Sequence, residues 1–357
     1  MDLYNIWLSM VIGANPSNGG EIVKAAVPPQ ELYENRKSWH SYGVFGTKQM
    51  ERALEISLAA AKTVWEKHNE NGISSVSYAD GEYPECFRSI PQAPVVLFYK
   101  GDITLLENPC RVSVVGSRHP DRDGTKICTD ICRTLSENGI TIISGLAQGM
   151  DTISHIAALE NSGKTVAFIG TSLDRYYPAS HRKFQEEIAK RGCVVSEYHI
   201  DAFTSGTAFL ERNRLIAAAG EIVCIMQAKS KSGTLSTAKK AQEYSKELFA
   251  VPGSILNPLY DGTNQLIQDG AYPLLRAGDV LVHFGLEEKT KGGRKTSKPK
   301  LTPVEQQIYD ALGRETKSTN QLFSQTRIPM VQLKALLTKM EMDGVVKSVS
   351  PGVYCTK

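Results

Sequence analysis

The stretch RVSVVG at 111–116, with ITIISG at 140–145 and TVAFIG at 165–170, decides the fold of this chain. Each run is short, mostly apolar and closed by glycine, and helical stretches separate the runs. Continuous apolar strands are typical of parallel sheets buried on both faces, because the crossover helices cover both sides. The alternation continues through CVVSEY at 193–198, EIVCIMQA at 221–228, ELFAVPG at 247–253 and DVLVHFG at 279–285. We therefore predict an α/β domain with a doubly wound, mostly parallel sheet.

The chain has 357 residues, enough for two or three domains at about 150 residues each. Residues 1–72 indicate several short helices, and the last shows a helical period of apolar residues from 50 to 65 before Asn71-Gly72 stops it. Residues 73–285 form the α/β domain, which begins with an approach segment, 73–110, that holds a short apolar strand in APVVLFYKG at 93–101. We therefore place a small helical module, 1–72, before the α/β domain.

A change in composition marks the end of the α/β domain. Residues 286–300, LEEKTKGGRKTSKPK, are polar and rich in Lys, Gly and Ser, which predicts a flexible basic linker. Residues 301–357 show three helical segments, the first beginning at Thr302-Pro303, and a hairpin around Pro351-Gly352. Three helices and a hairpin in so short a segment predict a winged-helix domain.

The composition excludes several classes of protein. Apolar residues make up 41% of the chain and charged residues 22%, which is ordinary for a globular protein. No run of about 18 apolar residues occurs, so we expect no membrane span. The seven cysteines form no CxxC pair, which argues against a disulfide framework or a zinc site and for a reduced, cytoplasmic protein. Cys128 and Cys132 lie one helical turn apart, where we expect them to pack in the core.

The net charge of +3 is unevenly distributed. Residues 287–357 carry a net charge of +6, and residues 1–286 carry −3. The α/β domain is therefore not broadly basic, and it can bind nucleic acid only through a local cluster of positive charge.

Two candidate features fall at carboxyl ends of predicted strands, where open α/β sheets bind ligands. The turn Gly116-Ser117-Arg118 precedes a helix, so its backbone N–H groups and the Arg118 guanidinium could meet an anion; the simpler interpretation is an ordinary turn. In GLAQGMDTISH at 145–155, Gly145 allows close approach of the backbone. Asp151 and His155 could form an acid–base or metal pair, but a helix cap and a packed histidine explain them more simply.

Two further features lie later in the chain. In FLERNRLIAA at 209–218, Arg212 and Arg214 flank Asn213 at a predicted helix start, and their fork-shaped donors suit phosphates or base edges. Phe209 could stack on a base, although a solvated loop with Phe209 in the core is an alternative. The loop Ser232-Gly233-Thr234 follows two cations, Lys229 and Lys231, and also suits a phosphate.

None of these features is a Walker A or GxGxxG motif. Three of them place cations beside Gly/Ser turns. This arrangement indicates a groove that binds a polyanion, and it indicates no catalytic residue, metal ion or cofactor.

The features resemble the DprA/Smf family of bacterial DNA-processing proteins, over about 115–272 and in the order that this family shows. The matching motifs are GSR at 116–118, SGLAQGMD at 144–151, LDRYYP at 173–178, SEY at 196–198, RNRLIA at 212–217, KSGTLSTA at 231–238, FAVPGS at 249–254 and GTNQLIQDGA at 262–271.

The resemblance implies an extended Rossmann-like domain that binds single-stranded DNA, between a helical module of SAM or helix-hairpin-helix type and a winged helix. It implies a cytoplasmic homodimer, without enzymatic activity, that protects incoming single strands and loads the RecA recombinase on them in natural transformation. The sequence departs from the family pattern at Leu210, where proline is usual, and at Gln227, where glutamate is usual. The candidate DNA-binding residues are Gly116, Ser117, Arg118, Gly145, Phe209, Arg212, Asn213, Arg214, Lys231, Ser232, Gly233 and Thr234.

Two alternatives remain open. Nucleotide-binding or nucleotide-hydrolysing enzymes share related Rossmann-like domains, but they carry a PGGxGT-type loop with a nearby glutamate, and KSGTLST at 231–237 has neither feature. Alternatively, the winged helix senses or reads nucleic acid and the α/β domain is an interaction platform. The helix that would enter a groove, 330–342, offers only Lys334 and Lys339 as cations.

Overall fold

The computed structural model describes residues 3–13, 19–160, 162–204, 206–287, 301–313, 315–342, 345–350 and 352–356. The chain divides into two compact units, Met1–Glu288 and Lys289–Lys357. The boundary at residue 72 stays a prediction, and the predicted linker lies outside the described residues from 288 to 300. No helix in the described ranges is long and apolar enough to cross a membrane.

The first unit begins with helices whose buried side chains, among them Trp7 and Trp39, share one hydrophobic core with the sheet. The apolar period from 50 to 65 spans two helices, with a break at Ile56 and Ser57. At the break the Ile56 carbonyl accepts the Trp7 indole N–H at 3.1 Å, and the Ser57 hydroxyl accepts the Ala60 N–H at 3.2 Å. A new helix therefore begins after Ser57, and it stops where predicted. The helices are α1 Leu3–Ile12, α2 Gly19–Ala25, α3 Pro29–Glu34, α4 Thr47–Glu55 and α5 Leu58–Glu70.

The described strands of this unit form one sheet. They are β1 Ser74–Ser77, β2 Val96–Gly101, β3 Arg111–Val115, β4 Thr141–Ser144, β5 Thr165–Phe168, β6 Cys193–Ser196, β7 Ile222–Ile225, β8 Glu247–Ala250 and β9 Tyr272–Pro273. Their order is β1-β2-β6-β5-β4-β3-β7-β8-β9. Pairing is parallel from β6 to β9, whereas β2 is antiparallel to both β1 and β6. The predicted mostly parallel α/β sheet is confirmed.

Helices cover both faces of this sheet. They are α6 Arg122–Glu137, α7 Met150–Glu160, α8 Arg182–Arg191, α9 Ala208–Ala219, α10 Thr234–Glu243, α11 Asp261–Gln268 and α12 Ala277–Leu281. Val112 and Val114 of β3 belong to one buried cluster and Val115 to the other, so successive residues of one strand face two cores. Double burial explains why the strands are mostly apolar on both faces. Cys128 and Cys132 of α6 are buried with their Sγ atoms 4.0 Å apart, which confirms their predicted packing role.

The prediction of a strand at DVLVHFG was wrong. Residues Ala277–Leu281 form α12, and a 3₁₀ turn follows. The Asp279 carboxylate accepts the N–H groups of Leu275 and Arg276 at 2.8 and 2.9 Å, which starts a helix. Val280 is buried, but Val282 is 73% exposed, a difference that fits a helix with one buried face.

The second unit contains α13 Pro303–Leu312, α14 Thr319–Thr326 and α15 Met330–Met342 with the strands β10 Lys317–Ser318, β11 Val346–Ser350 and β12 Val353–Thr356. The strand order is β10-β12-β11, and apolar residues from all three helices and from β11 share a small core. The predicted helix start is confirmed, because the Thr302 hydroxyl accepts the Glu305 N–H at 3.3 Å while Glu305 accepts the Thr302 N–H at 2.8 Å. These elements form the predicted winged helix.

Candidate functional site

The chain order of the sheet reverses between β3 and β7. From β3 the chain proceeds through β4, β5 and β6 to one side, then returns to β7 on the other side of β3. Ligands of open α/β folds bind beyond the carboxyl ends of the strands at such a switch point. A cavity of about 660 Å³ opens there, lined by the segments that follow β3 and β7 and by the start of α9.

The segment after β3 forms one wall, from Gly116 to His119. The Ser117 hydroxyl accepts the His119 N–H at 3.1 Å, and the Ser117 carbonyl accepts the Met150 N–H at 3.0 Å. The backbones approach closely here: Gly149 has φ +85°, and a Cβ on it would lie 2.3 Å from the Ser117 carbonyl oxygen. This packing fixes the turn and leaves the Arg118 side chain exposed at the cavity.

The segment after β7 forms the opposite wall, and Lys229 and Lys231 are both exposed there. The Ser232 hydroxyl accepts the Thr234 N–H at 3.2 Å, and the Thr234 hydroxyl donates to the Gly116 carbonyl at 3.0 Å. The two walls are thus joined directly by a hydrogen bond.

Three cations therefore face one cavity: Arg118, Lys229 and Lys231. None of them forms an ion pair with another described residue, whereas many surface cations elsewhere in the unit are paired with a carboxylate. Asp151 is the one carboxylate among the described residues that line the cavity. The cavity therefore combines uncompensated positive charge with backbone and hydroxyl donors, which suits an anionic ligand.

Arg212 forms the floor. Its side chain is buried, and Nη1 donates to the Gly145 carbonyl at 2.5 Å and to the Phe168 carbonyl. Burial lowers the pKa of Arg212 to about 10, and the nearby Asp151 carboxylate opposes this effect, so the guanidinium stays charged at neutral pH. A Cβ at Gly145 would lie 2.5 Å from Nη1, which explains the glycine there.

The two other residues of the RNR motif face different surroundings. Asn213 lines the cavity, and its Nδ2 donates to the Ser236 hydroxyl at 3.0 Å. Arg214 does not line it: the side chain is buried, and Nη2 contacts Glu197 at 2.6 Å. The motif lies inside α9 and not at its start, so residues two positions apart point to nearly opposite sides.

An aromatic pair forms the remaining side. The rings of Tyr177 and Phe209 lie 4.8 Å apart at an interplanar angle of 42°, and Tyr177 is 58% exposed. Both rings also line an adjoining cavity of about 90 Å³, which Gly145 borders. Tyr177 was not among the predicted site residues, although it lies within the LDRYYP motif. The signal that points to it is an aromatic residue beside proline in the loop after the predicted strand TVAFIG.

The second residue of the possible acid–base pair lies away from the cavity lining. His155 is fully buried and its Nδ1 lies 2.6 Å from the Thr165 hydroxyl. Burial lowers the pKa of His155 to about 3. The interpretation of His155 as a packed histidine is confirmed. Asp151 is buried under the cavity, where it accepts the Ala147 N–H at 3.4 Å; burial raises its pKa, and Arg212 opposes this.

The sequence profile of DNA recombination-mediator protein A matches residues 74–285, and that of the DprA winged helix domain matches residues 293–352. The chain belongs to the DNA recombination-mediator protein A family. The resemblance drawn from the motifs is thereby confirmed, and so is the assignment of the C-terminal domain as a winged helix.

Relatives in this family cover most of the chain. Protein Smf of Synechocystis is 32% identical over 392 aligned positions, which span 97% of each chain. DNA processing protein DprA of Streptococcus pneumoniae is 42% identical over 235 residues, 66% of this chain and 81% of the relative. The X-ray structure of DprA from S. pneumoniae matches with a TM-score of 0.70 at 35% identity, over 80% of this chain and 99% of the other. A structure concerned with single-stranded DNA binding by DNA processing protein A from Helicobacter pylori matches with a TM-score of 0.55 at 33% identity, over 60% of this chain and 96% of the other.

Proposed function

We propose that this protein binds single-stranded DNA in the cavity at the switch point and loads the RecA recombinase onto the bound strand. The observation that carries the proposal is the placement of Arg118, Lys229 and Lys231, without carboxylate partners, around a cavity with an exposed aromatic wall. The related protein from H. pylori, whose single-stranded DNA binding mode is the subject of its structure, supports it.

The cations and the aromatic rings of the cavity walls are suited to different parts of a DNA strand. The three cations and the Ser232-Gly233-Thr234 turn are suited to phosphates, whose contacts depend on salt because they release counterions. The rings of Tyr177 and Phe209 are suited to bases, which a single strand can offer and a duplex keeps stacked. The protein therefore binds single strands with little regard to sequence and prefers them to duplexes.

The cavity is suited to binding rather than to catalysis. Asp151 is the only carboxylate among its described lining residues, and it is buried beside the Arg212 guanidinium. A hydrolase of the alternative type would need an accessible acid–base group at the cavity. We therefore propose that the protein is a non-enzymatic mediator that acts in the cytoplasm, where single strands and the recombinase meet.

Homodimer formation is part of the proposal. Three large apolar side chains lie exposed at or near β9, the outermost strand on that side of the sheet: Tyr272 at 46%, Leu275 at 71% and Val282 at 73%. An exposed apolar patch beside a sheet edge is a common subunit interface. We propose that a second copy covers it.

Fluorescence anisotropy with a labelled dT oligonucleotide, at two salt concentrations, tests the binding. We expect saturable, salt-sensitive binding that duplex of equal length does not displace. Lys231→Ala should weaken this binding, whereas Lys62→Ala, which removes an exposed lysine of α5 that does not line the cavity, should not. Absence of binding at low salt, or equal competition by duplex, contradicts the proposal. Recombinase filament assembly on the bound strand then tests loading.

A further inference from the structure

Helix α5 contacts the loop that leads into the cavity, although no described residue of α5 lines the cavity itself. His68 of α5 is fully buried, and its Nε2 accepts the Ile200 N–H at 2.8 Å. The preceding residue, Lys67, forms an ion pair with Asp201 at 2.5 Å. Two successive residues of one helix therefore hold two successive residues of the loop.

The same loop continues into the DNA-binding wall. Gly206 lines the cavity, α9 begins at Ala208, and Phe209 contributes its ring to the aromatic side. Ile200 and Asp201 thus lie only a few residues before the point at which the chain reaches the cavity.

The backbone at the contact has a positive φ. Asp201 has φ +69°, in the left-handed region that aspartate and asparagine adopt more readily than most residues other than glycine. The loop therefore turns at the residue that Lys67 contacts. The pair with Lys67 is half-exposed, so it adds little to global stability, but its geometry restricts one residue of the loop.

We propose that His68 and Lys67 are positioning residues for the DNA-binding site: by holding Ile200 and Asp201 they keep the loop, and with it Phe209, in the arrangement that binds a strand. The proposal rests on the proposed function and extends it, because it makes the N-terminal helical region a part of the site that touches no DNA.

Variants of His68 separate this role from simple packing. His68→Gln keeps an acceptor that can reach the Ile200 N–H, whereas His68→Leu fills the space without one. We expect His68→Leu to weaken single-stranded DNA binding about fivefold, the lower end of ordinary coupling between sites, and to speed hydrogen exchange at Ile200. His68→Gln should restore most of both properties.

Surface variants test the proposal without disturbing the core. Lys67→Ala and Asp201→Asn both remove the ion pair, and asparagine tolerates a positive φ. We expect each to weaken DNA binding with little change in melting temperature, while Lys62→Ala on the same helix changes neither. These two variants decide the question if His68→Leu does not fold.

Two results have distinct meanings. Native DNA affinity in the His68 and Lys67 variants, alongside a loss in Arg118→Ala, overturns the positioning role and leaves the binding site intact. Native affinity in Arg118→Ala and in Lys231→Ala as well shows instead that the proposed function itself has failed at this cavity.

Discussion

Arg212 and Arg214 lie two positions apart on α9, yet one guanidinium closes the floor of the cavity and the other is paired with Glu197 away from the cavity lining. The helical twist between them explains the difference, because two positions correspond to a rotation of about 200°. One sequence motif therefore has two structural outcomes: Arg212 lines the candidate site, and Arg214 is buried in the packing of α9.

Arg214→Ala should lower the free energy of unfolding by about 3–5 kcal/mol, because it leaves the Glu197 carboxylate without its partner in a mostly buried place. Urea denaturation measures this loss. Replacing both partners, as in Arg214→Met with Glu197→Gln, should recover much of it. A loss no larger than that of an exposed arginine would show that the pair contributes little.

Arg118→Ala should differ from Arg214→Ala, because it should change DNA binding and not the free energy of unfolding. The side chain is exposed and has no ion-pair partner among the described residues, so stability should not change, while single-stranded DNA binding should weaken. The slope of log affinity against log salt should fall in magnitude by about one, as expected for one lost phosphate contact. Anisotropy titrations over a range of salt give both quantities. An unchanged slope would remove Arg118 from the interface.

Tyr177→Ala should weaken binding by about 1–3 kcal/mol, the usual contribution of one base stacked on an aromatic ring. Tyr177→Phe should retain most of the affinity, since the ring and its contact with Phe209 remain. The comparison separates stacking from hydrogen bonding by the hydroxyl. Equal affinity of the alanine and native proteins would exclude a base at this ring.

Folding stability should decline as the pH falls from 6.5 toward 4. Burial, with a smaller effect from His199, lowers the pKa of His68 to about 4, and burial lowers that of His155 to about 3. Below pH 6.5 the unfolded chain binds protons that the folded chain does not, so each histidine costs roughly 2 kcal/mol between pH 6.5 and 5. Three other charged groups also act on the pKa of His68. The carboxylates of Asp174 and Asp201 raise it, and the ammonium group of Lys100 lowers it.

Urea denaturation at pH 7, 6 and 5 measures this dependence. His155→Gln should flatten the profile, even though it changes stability at pH 7 as well. Stability that stays constant from pH 7 to 5 would mean that the two histidines titrate normally in the folded protein.

The sequence predicted the sheet well because double burial leaves a local signal, the apolar run closed by glycine. It failed at 279–285, where Asp279 caps a helix, since an apolar run of that length suits either structure. For the site, Arg118 and Lys231 were found because glycine turns mark strand ends. The orientation of Arg214 depends on helical phase, and the roles of Tyr177 and His68 depend on contacts between segments far apart in the chain, which no local pattern records.

The hydrogen bonds of Arg212 to the ends of β4 and β5 have a kinetic consequence. They are made within the protein, so the floor of the cavity exists before any strand arrives and need not assemble around it. Association should therefore proceed in one step at a rate set by collision and electrostatic attraction, without a slow rearrangement. Differences in affinity among strands will then appear in how long each remains bound.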